Sequence, residues 1–338
     1  MVDIVSYIAL CRAGVTDAGG WVVVDSAIER LLVEGGTVVG AEVKDQDGLT
    51  PVRARAVLLA TGGFQASPDL RRQYLGAGAG DMLLRSNPFS DGGGLALAQS
   101  AGGALAGAMD RFYGHTIPAP LAHEFRPGDF VRLSMPFMST RSVLLNREGR
   151  RFLDESSGYY TIAHAVLRQE GGRALLIGDQ TLRDADSAGY VANRTLGFEL
   201  VDRPSEAAKS GANVCQAETL EELADIVGPW GYANVVGAIY EFNRQVGTAS
   251  MTPPRRRNAR PFSPPYFAME VQPAVTFTFG GISADAETRV LREDGSVVPG
   301  LNVAGADVGG FFAEQYCSGL TMAGVLAIRA VNSIAGAK

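Results

Sequence analysis

Apolar residues near the two ends of the chain form two runs, residues 54–64 and 299–310, and each run leads into glycines. A continuous apolar run of this length is typical of a strand that is covered on both faces, as in a parallel α/β sheet. Glycine allows the backbone to turn sharply after such a strand and to approach a ligand closely. The two runs therefore predict one nucleotide-cofactor domain that a long insertion divides.

Alternation of apolar and polar residues over 21–45, interrupted by glycine turns, predicts a β-meander that includes residues 21–24. Ser67 followed by Pro68 predicts the start of a helix, because serine caps helices and proline fits their first position. Similar patterns predict a hairpin over 142–150 and helices over 68–74, 95–106, 220–227, 233–245 and 321–334.

Two segments of unusual composition are predicted to be loops. The glycine-rich stretch 76–80 follows no buried strand, which argues against a phosphate-binding turn there. The basic stretch 255–260 stands between prolines, so it is interpreted as a solvated connector.

Composition narrows the class of protein. The 338 residues are 46% hydrophobic and carry a net charge of −6, which is typical of a folded enzyme and argues against a nucleic-acid binder. No apolar run approaches the roughly 18 residues needed to span a bilayer, and the first residues do not resemble a signal peptide. The three cysteines and three histidines lack the spacing of disulfide or metal sites. The sequence thus predicts a reduced, cytoplasmic protein without a metal.

Three motifs follow one another along the chain. The first is Ala-Thr-Gly-Gly-Phe at 60–64, and the second is Asn-Arg-Glu-Gly-Arg-Arg-Phe-Leu-Asp-Glu at 146–155. The third is Thr-Phe-Gly-Gly-Ile at 278–282, followed by Val-Pro-Gly-Leu at 298–301. With them the chain resembles the fumarate reductase/succinate dehydrogenase flavoprotein family, which includes 3-ketosteroid dehydrogenases and tricarballylate-dehydrogenase-like enzymes. The resemblance implies an α/β protein with an incomplete glutathione-reductase-like FAD domain containing the β-meander. It would comprise residues 1–108 and 262–338, interrupted by an α+β capping domain over 109–261.

The resemblance also implies where FAD would be bound. The residues that match cofactor contacts are Thr61, Gly62, Gly63, Phe64, Asp91, Gly305, Ala306, Asp307, Gly319, Leu320, Thr321 and Met322. The last four begin the final helix, and a helix start carries free N–H groups and a partial positive charge. Such a helix start stabilises the negative charge that a reduced flavin acquires.

At the substrate side this chain departs from fumarate reductases. His115 matches one substrate histidine, but Tyr159, Phe277 and Tyr316 replace the catalytic arginine, the second histidine and the carboxylate-binding arginine of the family. The resemblance therefore implies a desaturase or ene-reductase for an organic acid, enone or steroid-like small molecule. FAD N5 would exchange a hydride with one carbon, while a tyrosine or His115, titrating near neutrality, would move the proton. Arg141 is a further candidate that would supply positive charge.

Members of this family open with a Gly-x-Gly-x-x-Gly turn, and no such motif follows a buried strand here. We therefore expect that the dinucleotide-binding unit is missing, that apolar strand edges are exposed and that the chain is poorly soluble. Two alternatives to the enzyme remain: a fragment that holds FAD only with a partner chain supplying the missing unit, or a non-catalytic interaction domain. Fumarate reduction proper is a further alternative.

Overall fold

The computed structural model describes residues 3–189, 201–314 and 316–336, and in these ranges the chain forms a mixed α/β fold. The helices are α1 (Ile4–Asp17), α2 (Pro68–Leu75), α3 (Gly93–Ser100), α4 (Asp129–Arg132), α5 (Pro136–Ser139), α6 (Tyr159–Leu167), α7 (Gln180–Gly189), α8 (Arg203–Lys209), α9 (Leu220–Val227), α10 (Val235–Gln245) and α11 (Gly319–Ala335). The strands are β1 (Ala27–Glu34), β2 (Thr37–Asp45), β3 (Gly48–Arg53), β4 (Val57–Leu59), β5 (Leu83–Leu84), β6 (Leu105–Ala106), β7 (Phe112–Pro118), β8 (Val143–Leu145), β9 (Ala174–Asp179), β10 (Val214–Ala217), β11 (Tyr266–Thr278), β12 (Gly281–Ile282), β13 (Arg289–Leu291) and β14 (Val297–Val303). In the part of the chain so described, every helix is too short or too polar to cross a membrane.

The two apolar runs of the sequence lie side by side. β4 pairs with β14 in parallel, with Val57 opposite Leu301 and Leu59 opposite Val303. β13 adds to the other edge of β14, so β4 is an edge strand of this sheet as described. The two apolar runs are thereby confirmed as strands of one parallel pair, and the predicted exposure of apolar strand edges stays a prediction.

The predicted β-meander is confirmed, with a correction at its start. β1, β2 and β3 are joined in that order by antiparallel pairing. Residues 21–24 are not a strand, and their side chains are largely exposed, with Trp21 at 88%. Their apolar character alone could not distinguish a strand from an unpaired segment.

The central sheet of the second half is built around the long strand β11. Its first half pairs with β9 and β10, and its second half pairs with β7 on one side and β5 on the other. β8 extends the sheet beyond β9. Helices α9 and α10, predicted from their apolar spacing, cover it through Leu223 and Ile239. The predicted bounds of α9 are confirmed, because Thr219 and Glu222 form a capping box at its start.

Three other predictions need correction. The helix predicted over 95–106 ends at Ser100, and Leu105 and Ala106 form strand β6 instead. Residues 77–81 form a 3₁₀ helix and not a loop. The basic stretch is only partly solvated, because the Arg255 guanidinium is buried and donates to the Ser142 carbonyl at 2.7 Å. The Arg255 Nη1 atom also lies 3.9 Å from the Glu155 carboxylate, and this carboxylate offsets the charge of the buried guanidinium.

The predicted domain bounds remain a prediction, and residues 190–200 of the 109–261 segment lie outside the described residues. Two helices at the ends of the chain leave apolar side chains exposed. α1 exposes Ile4, Val5 and Leu10, and α11 exposes Val325 and Ile328. These faces have the composition of surfaces that other proteins normally cover.

Candidate functional site

One buried carboxylate joins the glycine turns that follow β4 and β14. Asp307 is completely buried and accepts hydrogen bonds from the Thr61 amide, from the Thr61 hydroxyl at 3.0 Å and from the Gly63 amide at 2.9 Å. These hydrogen bonds fix two turns against each other although their residues are 244 and 246 positions apart in the sequence. The Thr61–Gly63 turn with Asp307 is called the Asp307 cluster below.

Glycines allow other residues to pack closely against the Asp307 cluster. Gly62 and Gly63 have φ angles of 101° and 84°, which only glycine adopts readily. A Cβ at Gly94, near the start of α3, would lie 2.3 Å from the Thr61 hydroxyl oxygen. Beside Gly63, the Gln65 Oε1 and Thr278 Oγ1 atoms are buried and lack a hydrogen-bond partner. Crowded backbone and orphaned polar atoms of this kind fit a bound polar group.

The second part of the site is a group of aromatic side chains, here called the aromatic cluster: Tyr113, His115, Tyr159, Phe277, Phe312 and Tyr316. Tyr113 and His115 share one face of β7 because strand residues two apart point the same way. Phe277 joins that face through a β-bulge, since pairing with β7 shifts by one residue between Val275 and Phe277. The Tyr113 and Phe277 rings are 5.3 Å apart as a result.

His115 is held as a neutral side chain. It is 6% exposed, its Nε2 lies 3.0 Å from the Tyr113 hydroxyl, and its ring stacks on Tyr159 at 4.6 Å. Burial, with a smaller contribution from the charge of Arg85, lowers the pKa of His115 to about 3. The expectation that His115 titrates near neutrality is therefore wrong, because its burial disfavours the charged imidazolium.

Tyr113 occupies the centre of the cluster. Its ring stacks on Tyr316 at 4.1 Å and meets Tyr159 edge to face at 6.2 Å. Burial and contact with Tyr159 raise the pKa of Tyr113, so its hydroxyl keeps its proton. Tyr113 was not among the residues predicted from the sequence, although its spacing of two from His115 places both side chains on one face of a strand.

The start of α11 opens onto this cluster. A Cβ at Gly319 would lie 3.2 Å from the Tyr316 ring and 3.4 Å from the Phe277 ring. Ser318 precedes it with a φ of 53°, and its hydroxyl bonds that of Thr321 at 2.7 Å. Met322 is buried against Phe279 and Phe312, whereas Leu320 is 88% exposed. The four predicted cofactor residues therefore face the aromatic cluster through the backbone of the first turn of α11.

The remaining predicted residues are more dispersed. Phe64 is fully buried in the core beside Tyr74, and Asp91 is exposed and accepts the Gly93 amide at 3.0 Å. Arg141 stacks on Phe137 at 3.6 Å and lines a separate cavity of about 280 Å³ with Arg260. The structure therefore does not bring Arg141 into the aromatic cluster.

Arg85 is a cation whose charge acts on the cluster, since it contributes to the lowered pKa of His115. It follows β5, and its amide donates to the Val275 carbonyl at 2.8 Å, which extends the pairing with β11. The guanidinium donates to the Thr276 and Ser134 hydroxyls at 2.9 and 3.0 Å. The sequence around Arg85 did not predict its position, because that position depends on the pairing of the two-residue strand β5 with the distant strand β11.

Comparison with known proteins gives a consistent result. A family described as "FAD binding domain" matches residues 7–319. The NADH:acrylate oxidoreductase of Vibrio harveyi is 27% identical over 323 residues, covering 93% of this chain and 30% of that protein. The cytochrome-type fumarate reductase of Shewanella frigidimarina is 30% identical over 302 residues, covering 88% of this chain and 48% of that protein. The chain thus spans half or less of the length of these two curated relatives.

A solved structure supports the fold. The 3-ketosteroid delta1-dehydrogenase from Sterolibacterium denitrificans aligns with a TM-score of 0.72 at 22% identity, covering 97% of this chain and 62% of that one. The mixed α/β prediction is confirmed at this level, and the glutathione-reductase-like arrangement in particular remains a prediction.

Proposed function

The chain belongs to the FAD-binding domain family that matches residues 7–319, and on that premise we propose that it is an FAD-dependent oxidoreductase acting on a carbon–carbon bond next to a carbonyl or carboxylate. The observation that carries this proposal is the start of α11, which opens directly onto the aromatic cluster at Gly319. Acrylate and fumarate, which appear in the names of two relatives, each hold a double bond beside a carboxylate.

The residues present fit the cofactor. The Asp307 cluster offers a glycine turn of positive φ beside the start of α3, and two orphaned buried oxygens face it. The first turn of α11 would stabilise negative charge on a reduced flavin through its amides and helix dipole. FAD supplies hydride exchange at its N5 atom when it is bound.

Proton transfer is assigned to a tyrosine hydroxyl. Of the two tyrosines named from the sequence, Tyr159 is the one whose ring contacts both His115 and Tyr113. His115 acts in this proposal as a neutral hydrogen-bond partner that orients the Tyr113 hydroxyl and not as a titrating base. The surrounding rings partly shield these hydroxyls from water, which strengthens hydrogen bonds to a substrate carbonyl.

Fumarate reduction is the less favoured alternative. A dianionic substrate needs several cationic groups, and guanidinium groups bind carboxylates best. In the aromatic cluster those positions hold Tyr159, Phe277 and Tyr316, and its histidine is neutral.

The reaction can be tested by following flavin absorbance under anaerobic conditions. The chain is reconstituted with FAD, reduced with dithionite and mixed with unsaturated acids and enones. We expect reoxidation by at least one compound, and we expect Tyr159→Phe to slow it about 10²- to 10⁴-fold, as for the loss of a general acid. Tyr240→Phe, on an exposed side chain of α10, is the matched control. Equal rates for the two variants, or no reoxidation by any compound in a sample that retains bound flavin, would refute the proposal.

A second proposal concerns how FAD is retained. The exposed apolar faces of α1 and α11 favour a protein that needs a partner chain to bind FAD firmly. We therefore expect the purified chain to show a flavin band well below one per protein, increasing when a partner that carries a dinucleotide-binding unit is added. A visible spectrum with near-stoichiometric flavin in the chain alone would contradict this.

A further inference from the structure

We propose that His115 is a positioning residue for the reaction: in its Nε2–H tautomer it donates to Tyr113, and Tyr113 in turn donates to the hydroxyl oxygen of Tyr159. This inference rests on the proposed function, in which Tyr159 moves the proton. The two successive hydrogen bonds are called the His115 relay below. They give the Tyr159 hydroxyl a fixed donor on its oxygen and leave its own proton free for a substrate.

The tautomer of His115 follows from the surroundings of its two ring nitrogens. Nε2 lies 3.0 Å from the Tyr113 hydroxyl, whereas Nδ1 is buried and has no hydrogen-bond partner among the described residues. Burial keeps the imidazole neutral, so it carries one proton, and placing that proton on Nδ1 would bury an N–H group without an acceptor. Buried N–H groups without an acceptor are rarer in proteins than buried acceptors without a donor. The proton of His115 therefore belongs on Nε2.

This tautomer decides where the Tyr113 proton points. A hydroxyl has a single O–H donor, and the Tyr113 oxygen already accepts from Nε2–H, so its own proton turns away from His115. The hydroxyl group that remains within reach is that of Tyr159. Burial, and after it a side-chain hydrogen bond with Tyr159, raise the pKa of Tyr113. The Tyr113 hydroxyl therefore keeps its proton and donates it as a hydrogen bond to Tyr159.

Ring contacts hold the three side chains of the relay together. The His115 ring stacks on the Tyr159 ring with centroids 4.6 Å apart and an angle of 14° between the planes. The Tyr113 ring stacks on Tyr316 at 4.1 Å. Tyr113 and His115 belong to β7, and Tyr159 begins α6, which packs on β7. Two elements of the fold therefore assemble the relay before a substrate binds.

The His115 relay stabilises the negative charge that proton transfer leaves behind. In the proposed reduction one carbon of the double bond takes the hydride. The O–H bond of Tyr159 breaks, its proton forms a C–H bond at the other carbon, and the electron pair stays on the phenolate oxygen. Donation from Tyr113 stabilises this phenolate, and donation from His115 strengthens the effect because successive hydrogen bonds polarise one another. Tyr159 is partly exposed, so solvent water can return its proton.

The relay can be observed without turnover by ¹⁵N-histidine NMR on the full chain, because the chain contains only three histidines. At neutral pH we expect the pattern of a neutral Nε2–H tautomer for His115. His123 is an internal reference, since its Nε2 lies 3.0 Å from the Asp129 carboxylate and must carry a proton there. Tyr113→Phe should move the Nε2 proton signal of His115 upfield, because it removes the acceptor.

Tyr159→Phe should move the His115 signal in the same direction by a smaller amount, since the loss of the second hydrogen bond weakens the first. The phenylalanine ring keeps the stack on His115, so the ring itself causes little change. Tyr160→Phe is the matched control, because Tyr160 is the next residue on α6 and its ring meets the Tyr159 ring at 5.8 Å outside the relay.

Flavin reoxidation provides the kinetic test of positioning. Tyr113→Phe should slow the reaction about 10- to 100-fold, as for a hydrogen bond to a charged group. In the Tyr159→Phe background the same change should alter the rate by less than about twofold, because Tyr113 acts through the missing hydroxyl. His115→Leu should slow the reaction about 3- to 10-fold, and His115→Gln, whose amide can still donate, should retain more of the rate.

The proposal is overturned if His115 carries its proton on Nδ1 or on both nitrogens, or if Tyr159→Phe changes the His115 signal no more than Tyr160→Phe does. It is also overturned if Tyr113→Phe slows the reaction equally in both backgrounds. Should Tyr113→Phe fail to fold, the tautomer of the wild type and the effect of Tyr159→Phe decide the matter. The expected signals without any flavin reoxidation would refute the reaction and leave the relay in place. Reoxidation by a protein whose His115 carries its proton on Nδ1 would do the reverse.

Discussion

Replacing Asp307 by alanine is expected to lower the free energy of unfolding by about 3 kcal/mol, because a buried carboxylate with three donors is lost. The Gly63 amide is buried, so it would be left without a partner, and the Thr61 amide and hydroxyl would lose theirs. The variant should also separate the two glycine turns and so weaken FAD binding. Urea denaturation checks the first effect through its midpoint at an unchanged slope.

Asp294→Ala is the control for this experiment, because Asp294 lies in an exposed turn where its carboxylate bonds with Ser296, whose amide donates to it at 2.9 Å. Asp307→Asn provides a finer comparison, since it keeps the shape and one acceptor oxygen but removes the charge. A loss no larger for Asp307→Ala than for Asp294→Ala would show that the carboxylate does not hold the turns together.

Acidification from pH 7 to pH 4 is expected to remove about 3 kcal/mol of stability through His115 alone. The pKa of the folded-state histidine is lowered to about 3, whereas the unfolded value is about 6.5. Between these values the unfolded chain binds a proton that the folded chain does not. Stability is therefore fully present above pH 6.5 and declines as the pH falls toward 3. His164, which burial brings to a pKa of about 4, adds a similar dependence.

The His115 contribution can be isolated with His115→Gln, which cannot be protonated in either state. Its free energy of unfolding should fall less steeply between pH 7 and pH 4 than that of the wild type, by about 3 kcal/mol over the interval. His123→Gln, at a half-buried position beside Asp129, serves for comparison. Parallel pH profiles for wild type and His115→Gln would show that His115 has the same pKa in the folded and unfolded chain, which would contradict the lowered value.

Local structure was largely predictable from the sequence. Ser67 and Pro68 predicted the start of α2, and the glycine turns predicted the meander, because capping and turn chemistry depend on near neighbours. The prediction of a strand at residues 21–24 was wrong because strand formation does not depend on near neighbours alone. A strand requires a partner to bond with, and no local pattern reveals whether that partner exists.

The site was only partly predictable, since its members come from distant segments. The family resemblance pointed to Asp307 and Thr61, but their hydrogen bond to each other spans 246 residues. It also pointed to His115, Tyr159 and Tyr316, which the fold does bring together. The neutrality of His115 and the position of Arg85 could not be read from the sequence, because burial and pairing of β5 with β11 cause them.

The bulge in β11 has an evolutionary consequence. With Thr276 as the extra residue, both Phe277 and the contact to Arg85 depend on the number of residues in the strand as well as on their identity. Deleting one residue at this point would turn every following side chain to the opposite face, as far as the glycines at 280 and 281. During evolution, a single deletion could therefore change which side chains of β11 face the aromatic cluster, while the protein core at β9 and β10 stayed the same. Relatives of this chain that differ in strand length here should differ in substrate preference even where their aligned residues agree.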